Sequence, residues 1–427
     1  MRVLRVVPGL LLIAMFLATP AGPVAAQDST APVRTERTPA LREFVFKSLS
    51  RVRELADQGQ GSEALAELDK LLARSNLNDY EAAMAWNLSA YLNYQAEQYA
   101  AAIAGYEKVV AQERIPLSLR AGALYSTAQL KFLTDDYDGA SQALIEWFSV
   151  AESPGADAYL FLGQIHYQRK DYKAAAAAVE AAMRFARQGG RDIPENWYLL
   201  QRVVYWELKD YPKLLDALAS LVEHYPKREY WLQLAAVYDE LGRDAEYLAV
   251  METAYEQGLL ESESDLVRLA QLYMEAEMPY KGARLLDEAM AAGRVEETAR
   301  NLGLLGDAWV LAREYRRAID TLYRAQEVAP DPDLTLRMAQ LQLELGDYRE
   351  AAESALAAAR ADGLAHPGRA WIVRGLALYN LEDFPPAEEA FRQAARYEDT
   401  RELATRWVGF VERERDRQQR LAEVAAP

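Results

Sequence analysis

The 427-residue chain contains no cysteine and only three histidines, His166, His224 and His366, spaced far apart along the sequence. Without cysteine there is no disulfide framework, no thiolate metal site, no thiol nucleophile and no cysteine to carry a bacterial lipid anchor. With histidines so scattered, no metal-ligand cluster can be assembled. Positive charge is also scarce, at 48 Lys and Arg against 65 Asp and Glu, a net charge of −17. Such a surface repels nucleic acid and anionic lipid headgroups, so neither is an expected partner. No glycine-rich phosphate loop is present, and no segment alternates with the period of a strand. No apolar run reaches the ~20 residues that span a bilayer, so membrane insertion is not expected. Stability has to come from packed helices.

The first 26 residues differ from the rest. Arg2 and Arg5 precede a nearly apolar stretch, Val6 to Leu17, and Val24-Ala25-Ala26 supply the small residues of a cleavage site before Gln27. These are the features of a secretory signal peptide removed near Ala26, and they predict an exported mature chain. Removal of Arg2 and Arg5 would take the net charge from −17 to −19. Residues 27–40 are polar, hold prolines and lack helical period, and are predicted to form a disordered tether.

From Leu41 onward the sequence repeats itself. One copy reads Leu305-Gly306, Trp309, Tyr315, Ala318, Leu322, Ala325 and Pro330; others place Gly163, Tyr172, Ala175 and Val179, or Ala339, Gly346, Tyr348, Ala351 and Ala355. Small residues let two helices cross closely, and the spacing describes helix, tight turn, helix. The residue expected to open the second helix of each copy is Gly61, Tyr99, Tyr137, Tyr172, Tyr211, Asp244, Pro279, Tyr315, Tyr348 or Phe384. One large residue there is expected to pack the turn against the neighbouring repeat. Trp86, Tyr159, Tyr238, Trp309 and Trp371 are expected to fill the space between repeats. Gly242 and Gly346, or the pairs Asp135-Asp136 and Glu382-Asp383, mark the turns. Ser153-Pro154-Gly155 and Gly189-Gly190 mark longer links. The helix predicted over Arg401 to Arg420 carries Leu403, Trp407, Phe410 and Val411 on one side, as a cap requires, and Leu421 to Pro427 reads as a frayed tail.

These residues resemble the tetratricopeptide repeat family, over residues 41–399. The resemblance implies an all-α fold, a right-handed α-α superhelix (a solenoid) of about ten helix-turn-helix repeats, with residues 400–427 as capping helix and tail. Gly61 and Asp244 at the turn aromatic, Pro279 opening a helix and Leu214 at a usual alanine site depart from the pattern. The segments Asn78 to Trp86, Lys209 to Lys213, Arg228 to Ala235, Ala254 to Leu260 and Pro279 to Ala283, following the leader, are similar to a narrower group. That group is the periplasmic repeat proteins encoded beside TonB, ExbB and ExbD in Gram-negative bacteria. The resemblance implies a periplasmic accessory of energy-coupled uptake through outer-membrane receptors.

In this family the first helix of each repeat faces a concave groove. Counting back from the opening residues places Tyr91, Tyr94, Gln129, Phe132, Gln164, Tyr167, Val203 and Trp206 on an inner strip, with Gln271 and Gln340 at the recurring glutamine position. A side-chain amide both donates and accepts, so a row of them suits the backbone of an extended peptide, and flanking rings suit apolar or proline side chains. The same residues also suit inter-repeat packing and helix formation. The lysine and asparagine that would clamp a terminal carboxylate are missing. Asp135-Asp136-Tyr137-Asp138-Gly139 superficially suggests a calcium loop, but it lacks the distal glutamate and falls on a repeat turn, so no metal is expected. Glu388-Glu389 reads as an exposed helical pair, and no acid–base pair at a groove can be assembled.

The expected function is therefore a periplasmic scaffold that binds a protein or extended peptide, TonB or another envelope component, in support of TonB-dependent transport, with no catalysis and no cofactor. Two alternatives stay open: a scaffold for polysaccharide export or cell-wall synthesis, and an enzyme acting on glycans from an α-helical repeat frame.

Overall fold

The structure, a computed structural model, describes residues 39–425. The leader expected over 1–26, and the tether up to residue 38, lie outside the described residues. Among the described residues there is no strand, and twenty of the helices form ten hairpins. They are α1 (Glu43–Asp57) with α2 (Gly61–Leu72), α3 (Asp79–Gln95) with α4 (Tyr99–Val110), and α5 (Leu117–Leu133) with α6 (Tyr137–Val150). Next come α7 (Ala156–Gln168) with α8 (Tyr172–Gln188), α9 (Glu195–Leu208) with α10 (Tyr211–His224), and α11 (Arg228–Glu240) with α12 (Asp244–Glu256). Then follow α13 (Glu263–Glu275) with α14 (Pro279–Ala291), α15 (Ala299–Leu311) with α16 (Tyr315–Val328), α17 (Pro332–Leu345) with α18 (Tyr348–Arg360), and α19 (Pro367–Asn380) with α20 (Phe384–Ala394). The last helix is α21 (Arg401–Ala425), which continues past Arg420 through residues expected to fray. All ten residues expected to open a second helix do so.

The turns explain that regularity. In every hairpin, the residue two positions before the opening residue is left-handed, with φ between 55° and 80°. The residue after it donates its N–H to a carbonyl in the last turn of the first helix, at 2.8–3.0 Å in all ten, as in Gln98 to Asn93 and Asp383 to Leu378. This closure satisfies carbonyls that the helix end would otherwise leave unpaired. Glycine takes the left-handed position at Gly59, Gly242 and Gly346; Glu97, Asp135, Lys170, Lys209, Glu277, Arg313 and Glu382 hold it in the other seven. The Asp135-Asp136 pair is thereby accounted for. Asp135 is the left-handed residue, and Asp136 caps α6 by accepting from the Gly139 N–H at 2.9 Å.

Small residues hold the two helices of a hairpin together. A Cβ on Gly163 would lie 2.8 Å from Val179, and one on Gly375 would lie 2.6 Å from the Phe391 ring. Ala175, Ala318, Ala339 and Ala351 are fully buried at matching crossings. The opening aromatics serve both sides of the turn: Tyr172 hydrogen-bonds Glu207 on α9 of the next repeat. Their ring contacts are with the residue five positions earlier in their own hairpin: Tyr99 with Tyr94, Tyr137 with Phe132, Tyr172 with Tyr167 and Phe384 with Tyr379, at 5.5–6.3 Å between centroids. The tight turn brings these rings together within one hairpin.

The described residues divide after Pro154 into two compact units, one holding α1–α6 and the other α7–α21. Within each, every helix packs on the helix before and after it, which is how a repeat that cannot bury its own apolar face gains a core. In the second unit, shared carboxylates reinforce the stacking. Glu180 of α8 accepts from Tyr205 Oη of α9 at 2.7 Å and from Lys213 Nζ of α10 at 2.8 Å. Glu252 of α12 accepts likewise from Tyr273 of α13 at 3.0 Å and from Lys281 of α14. Hydrogen bonds from their partners hold both carboxyls below the usual glutamate value, and burial pushes both tyrosines up.

The closing helix corrects two expectations. Ala404 and Val411 are its fully buried residues and Trp407 stacks on Phe391 at 5.3 Å, whereas Leu403 and Phe410 remain 42% and 40% exposed. Glu388 is not an exposed member of a pair. It is 6% exposed because α21 lies over α20, and it is bound by Arg392 and by Arg415, the latter at 2.6 Å.

Candidate functional site

Two columns of side chains on the first helices remain outside the core. Five positions before the opening residue stand Tyr94, Phe132, Tyr167 and Trp206; eight positions before stand Tyr91, Gln129, Gln164, Val203, Gln271 and Gln340. The offset of three puts both columns on one helix face. All ten are half-buried or exposed, while the residue between them on the opposite side of each helix enters the core. The first unit carries Tyr91, Tyr94, Gln129 and Phe132, and the second carries Gln164, Tyr167, Val203, Trp206, Gln271 and Gln340.

The rings are positioned before any partner arrives. Tyr94, Phe132 and Tyr167 each rest against the aromatic that opens the next helix. Burial raises the Tyr167 hydroxyl above its usual value, so it stays a neutral donor across the physiological range. Trp206 is 47% exposed and has no ring partner. Tyr91 accepts from Gln95 Nε2 at 2.8 Å. The amides of Gln129, Gln164, Gln271 and Gln340 make no hydrogen bond to the described protein, so each keeps one acceptor and a donor group free. Gln271 lines an open cleft of about 330 Å³ between α13 and α15, where Gly303 leaves the α15 backbone uncovered.

Position-by-position comparison of the hairpins exposes a residue that the search for rings and amides overlooked. Nine positions before the opening residue, successive repeats from the second read Ala90, Ala128, Gly163, Arg202, Ala235, Ala270, Gly306, Ala339 and Gly375. Arg202 occupies a slot kept small everywhere else in that column, and its own hairpin carries Leu214 on α10 where alanine is usual. Its Nη1 donates to Gln233 of α11, and its Nε is enclosed without an acceptor. Burial lowers its pKa, with Tyr230, Glu229 and Tyr167 the facing groups that oppose the shift. A register count in the sequence would have found it.

The histidines do not gather. His166 is half-buried on α7, with Nδ1 enclosed and unpartnered, and burial lowers its pKa. His224 lies against the Tyr198 ring, and His366 sits 3.6 Å from Asp399. Among the described residues no three His, Asp or Glu side chains gather as a metal site would need, and no helix is long and apolar enough to cross a membrane.

A family profile for the tetratricopeptide repeat matches residues 49–116, 121–190 and 336–400. These stretches are tetratricopeptide repeats. The intervening residues, 191–335, contain Arg202 and three of the four departures named above, Leu214, Asp244 and Pro279, yet their four hairpins close with the same left-handed turn. Among solved structures, the tetratricopeptide repeat domain of P58(IPK) is similar over 88% of this chain and 99% of its own, at 14% identity and a TM-score of 0.26. MamA is similar over 41% of this chain and 91% of its own, at 18% identity and a TM-score of 0.35. YrrB, described as a repeat protein with an unusual peptide-binding site, is similar over 41% and 85%, at 15% identity and 0.33. Likenesses of this size add nothing to the fold already described. Comparison with curated proteins returns no significant match.

Proposed function

We propose that this tetratricopeptide repeat protein is an exported, periplasmic scaffold that holds an extended segment of another protein, in the service of TonB-dependent outer-membrane transport. The observation that carries the binding role is the paired columns of pre-positioned rings and unbonded amides on the first helices within each unit. An extended peptide has unpaired backbone groups on both edges, which free amides can meet, and side chains that rings can grip. The leader with its Val24-Ala25-Ala26 site supports export, and the segments shared with the TonB-adjacent repeat proteins support the transport role. Proline-rich segments are extended in advance and lose little entropy on docking, and an acidic chain attracts their lysines.

The reading is tested by titrating the mature protein with the lysine- and proline-rich periplasmic region of a TonB protein. Salt-sensitive binding in the micromolar range, on the order of −8 kcal/mol, is expected. It should weaken sharply in the Tyr94→Ala/Tyr167→Ala/Trp206→Ala variant, because large aromatics dominate interface energy. Absence of binding at low salt, or unchanged binding by the variant, refutes the reading. Intact-mass measurement of the protein from the periplasmic fraction should give an N-terminus at or near Gln27.

A further inference from the structure

We infer that Arg202 is an anchor for an acidic side chain of the bound segment, so that the partner carries a glutamate or aspartate where it passes α9. The inference rests on the groove reading above and names one chemical requirement of its occupant.

Three observations converge on Arg202. First, a guanidinium stands in a column otherwise built, from the second repeat onward, of glycine and alanine, where a small residue closes the hairpin. Nothing in the hairpin calls for bulk or charge at that point: Leu214 and Leu218, at the α10 positions that correspond to Ala175 and Val179 opposite Gly163, are apolar and buried. Second, no carboxylate is bonded to the charge, and Glu229 faces it without pairing. Arg202 forms no ion pair with any described carboxylate, and of its five N–H donors one reaches a neutral amide, Gln233 Oε1, while Nε has no acceptor. A sheltered charge without a partner costs stability that a carboxylate would restore. Three of the more enclosed carboxylates of this unit are each bonded to a cation: Glu180 to Lys213, Asp265 to Arg228, Glu388 to Arg415. Third, Arg202 lies among the groove residues. Tyr167 on α7 and Glu229 and Tyr230 on α11 face it, Trp206 is one turn along its own helix, and Gln164 belongs to the same strip on α7.

That placement favours a side-chain carboxylate over a chain terminus. Strip residues stand on α7 before Arg202 and on α13 beyond it, so a segment lying along the strip passes the arginine and does not end there. The planar guanidinium offers paired donors to a carboxylate, and Gln233, a neutral amide, can yield its place to the stronger charged acceptor. The requirement also sharpens the partner: a lysine-rich segment with no acidic residue would leave Arg202 unmatched.

The test uses the full mature chain and three blocked decapeptides (acetylated and amidated) of alternating alanine and proline, with Glu, Gln or Lys at the centre, followed by titration calorimetry. A fourth peptide has Gln at the centre and a free C-terminus. The Glu peptide should bind about tenfold more tightly than the Gln peptide, as a charged hydrogen bond implies. Arg202→Ala should abolish that preference and raise the unfolding midpoint, because it restores the small residue and removes the unpaired charge. Arg202→Lys should retain part of the preference. Equal binding of the Glu and Gln peptides overturns the anchor and leaves the groove reading standing. A preference carried by the free C-terminus and not by Glu overturns it in favour of terminal recognition. A lower unfolding midpoint for Arg202→Ala, with the Glu preference intact, makes the arginine structural. Binding of no peptide removes the groove reading and this inference together.

Discussion

Arg42 grips Glu81 across two helices: its Nε lies 2.9 and 3.2 Å from the two carboxylate oxygens, and its backbone N–H donates to the same group at 3.1 Å. Glu81 is fully enclosed and also completes a capping box with Asn78 at the start of α3, so one carboxylate ties the entry of α1 to the beginning of the second repeat. The hydrogen bond from Arg42, acting against desolvation, holds the Glu81 carboxyl at about 2, below its ordinary 4.5. A depressed carboxyl contributes stability that is complete above pH 4.5 and is lost as pH falls through 2. Glu81→Gln should therefore be less stable than the parent at neutral pH, and the difference should shrink as pH drops from about 4.5 to about 2. Unfolding curves of both proteins across that range measure it; a difference independent of pH would contradict the pairing.

The left-handed turns predict opposite signs for opposite substitutions. Arg313 (φ 59°) and Glu277 (φ 60°) hold a conformation that costs a residue with a Cβ about 1 kcal/mol. Arg313→Gly or Glu277→Gly should stabilise the chain by roughly 0.5 kcal/mol, after glycine's greater freedom when unfolded is deducted. Gly346→Ala, at φ 80°, should destabilise by about 1 kcal/mol. Denaturant midpoints settle all three, and a uniform loss in every variant would mean that the turn conformation is not the controlling factor.

Gly375→Ala should be disproportionately harmful for the addition of a single methyl. The new Cβ would stand 2.6 Å from the Phe391 ring, which is fully buried and pinned on its other face by Trp407. Overpacking of this kind costs ~1–3 kcal/mol. Hydrogen exchange should show loosening confined to α19, α20 and α21, with α7 to α9 protected as before. Loosening of equal size throughout the second unit would argue against repeat-by-repeat packing.

Two groove aromatics should differ in what their loss does to the fold. Trp206, exposed and without a ring partner, should be replaceable by alanine within about 0.5 kcal/mol. Tyr167 rests 5.7 Å from Tyr172 and is half-buried, so Tyr167→Ala should destabilise by ~1 kcal/mol or more. Thermal melts of the two single variants give the comparison, and equal losses would show that Trp206 packs more firmly than its exposure implies.

Repetition made the hairpins legible. Ten copies in phase locate Tyr99 or Phe384 at a helix start because the same turn recurs around them, and even Asp244 and Pro279 are found by phase when their own chemistry points elsewhere. What phase cannot convey is how a helix outside the repeat lies. Glu388 reads as a surface residue until α21 is placed across it and Arg415 arrives from 27 positions away. The seven left-handed residues with side chains are hidden for a related reason: Lys209 or Arg313 has no intrinsic preference for that conformation, and only the closing hydrogen bond imposes it. In the candidate site, rings and amides were visible because they stand out chemically. Arg202 was not, because an arginine is conspicuous only against a column of alanines and glycines.

The fixed turn also bears on how such a chain can grow or be engineered. Since the interval from left-handed residue to helix start is the same in every hairpin, a residue inserted there, for example between Lys170 and Tyr172, would displace the closing bond and turn the following helix about 100° out of phase. The link after α8 closes with the same bond, Arg191 N–H to the Ala186 carbonyl at 2.9 Å beyond left-handed Gly190, but it joins one hairpin to the next, and Arg191 and Asp192 are exposed. Residues added between Arg191 and Asp192 should leave the closing bond and the buried Ile193 in place, which makes that point of the link the place to graft an epitope or a reporter.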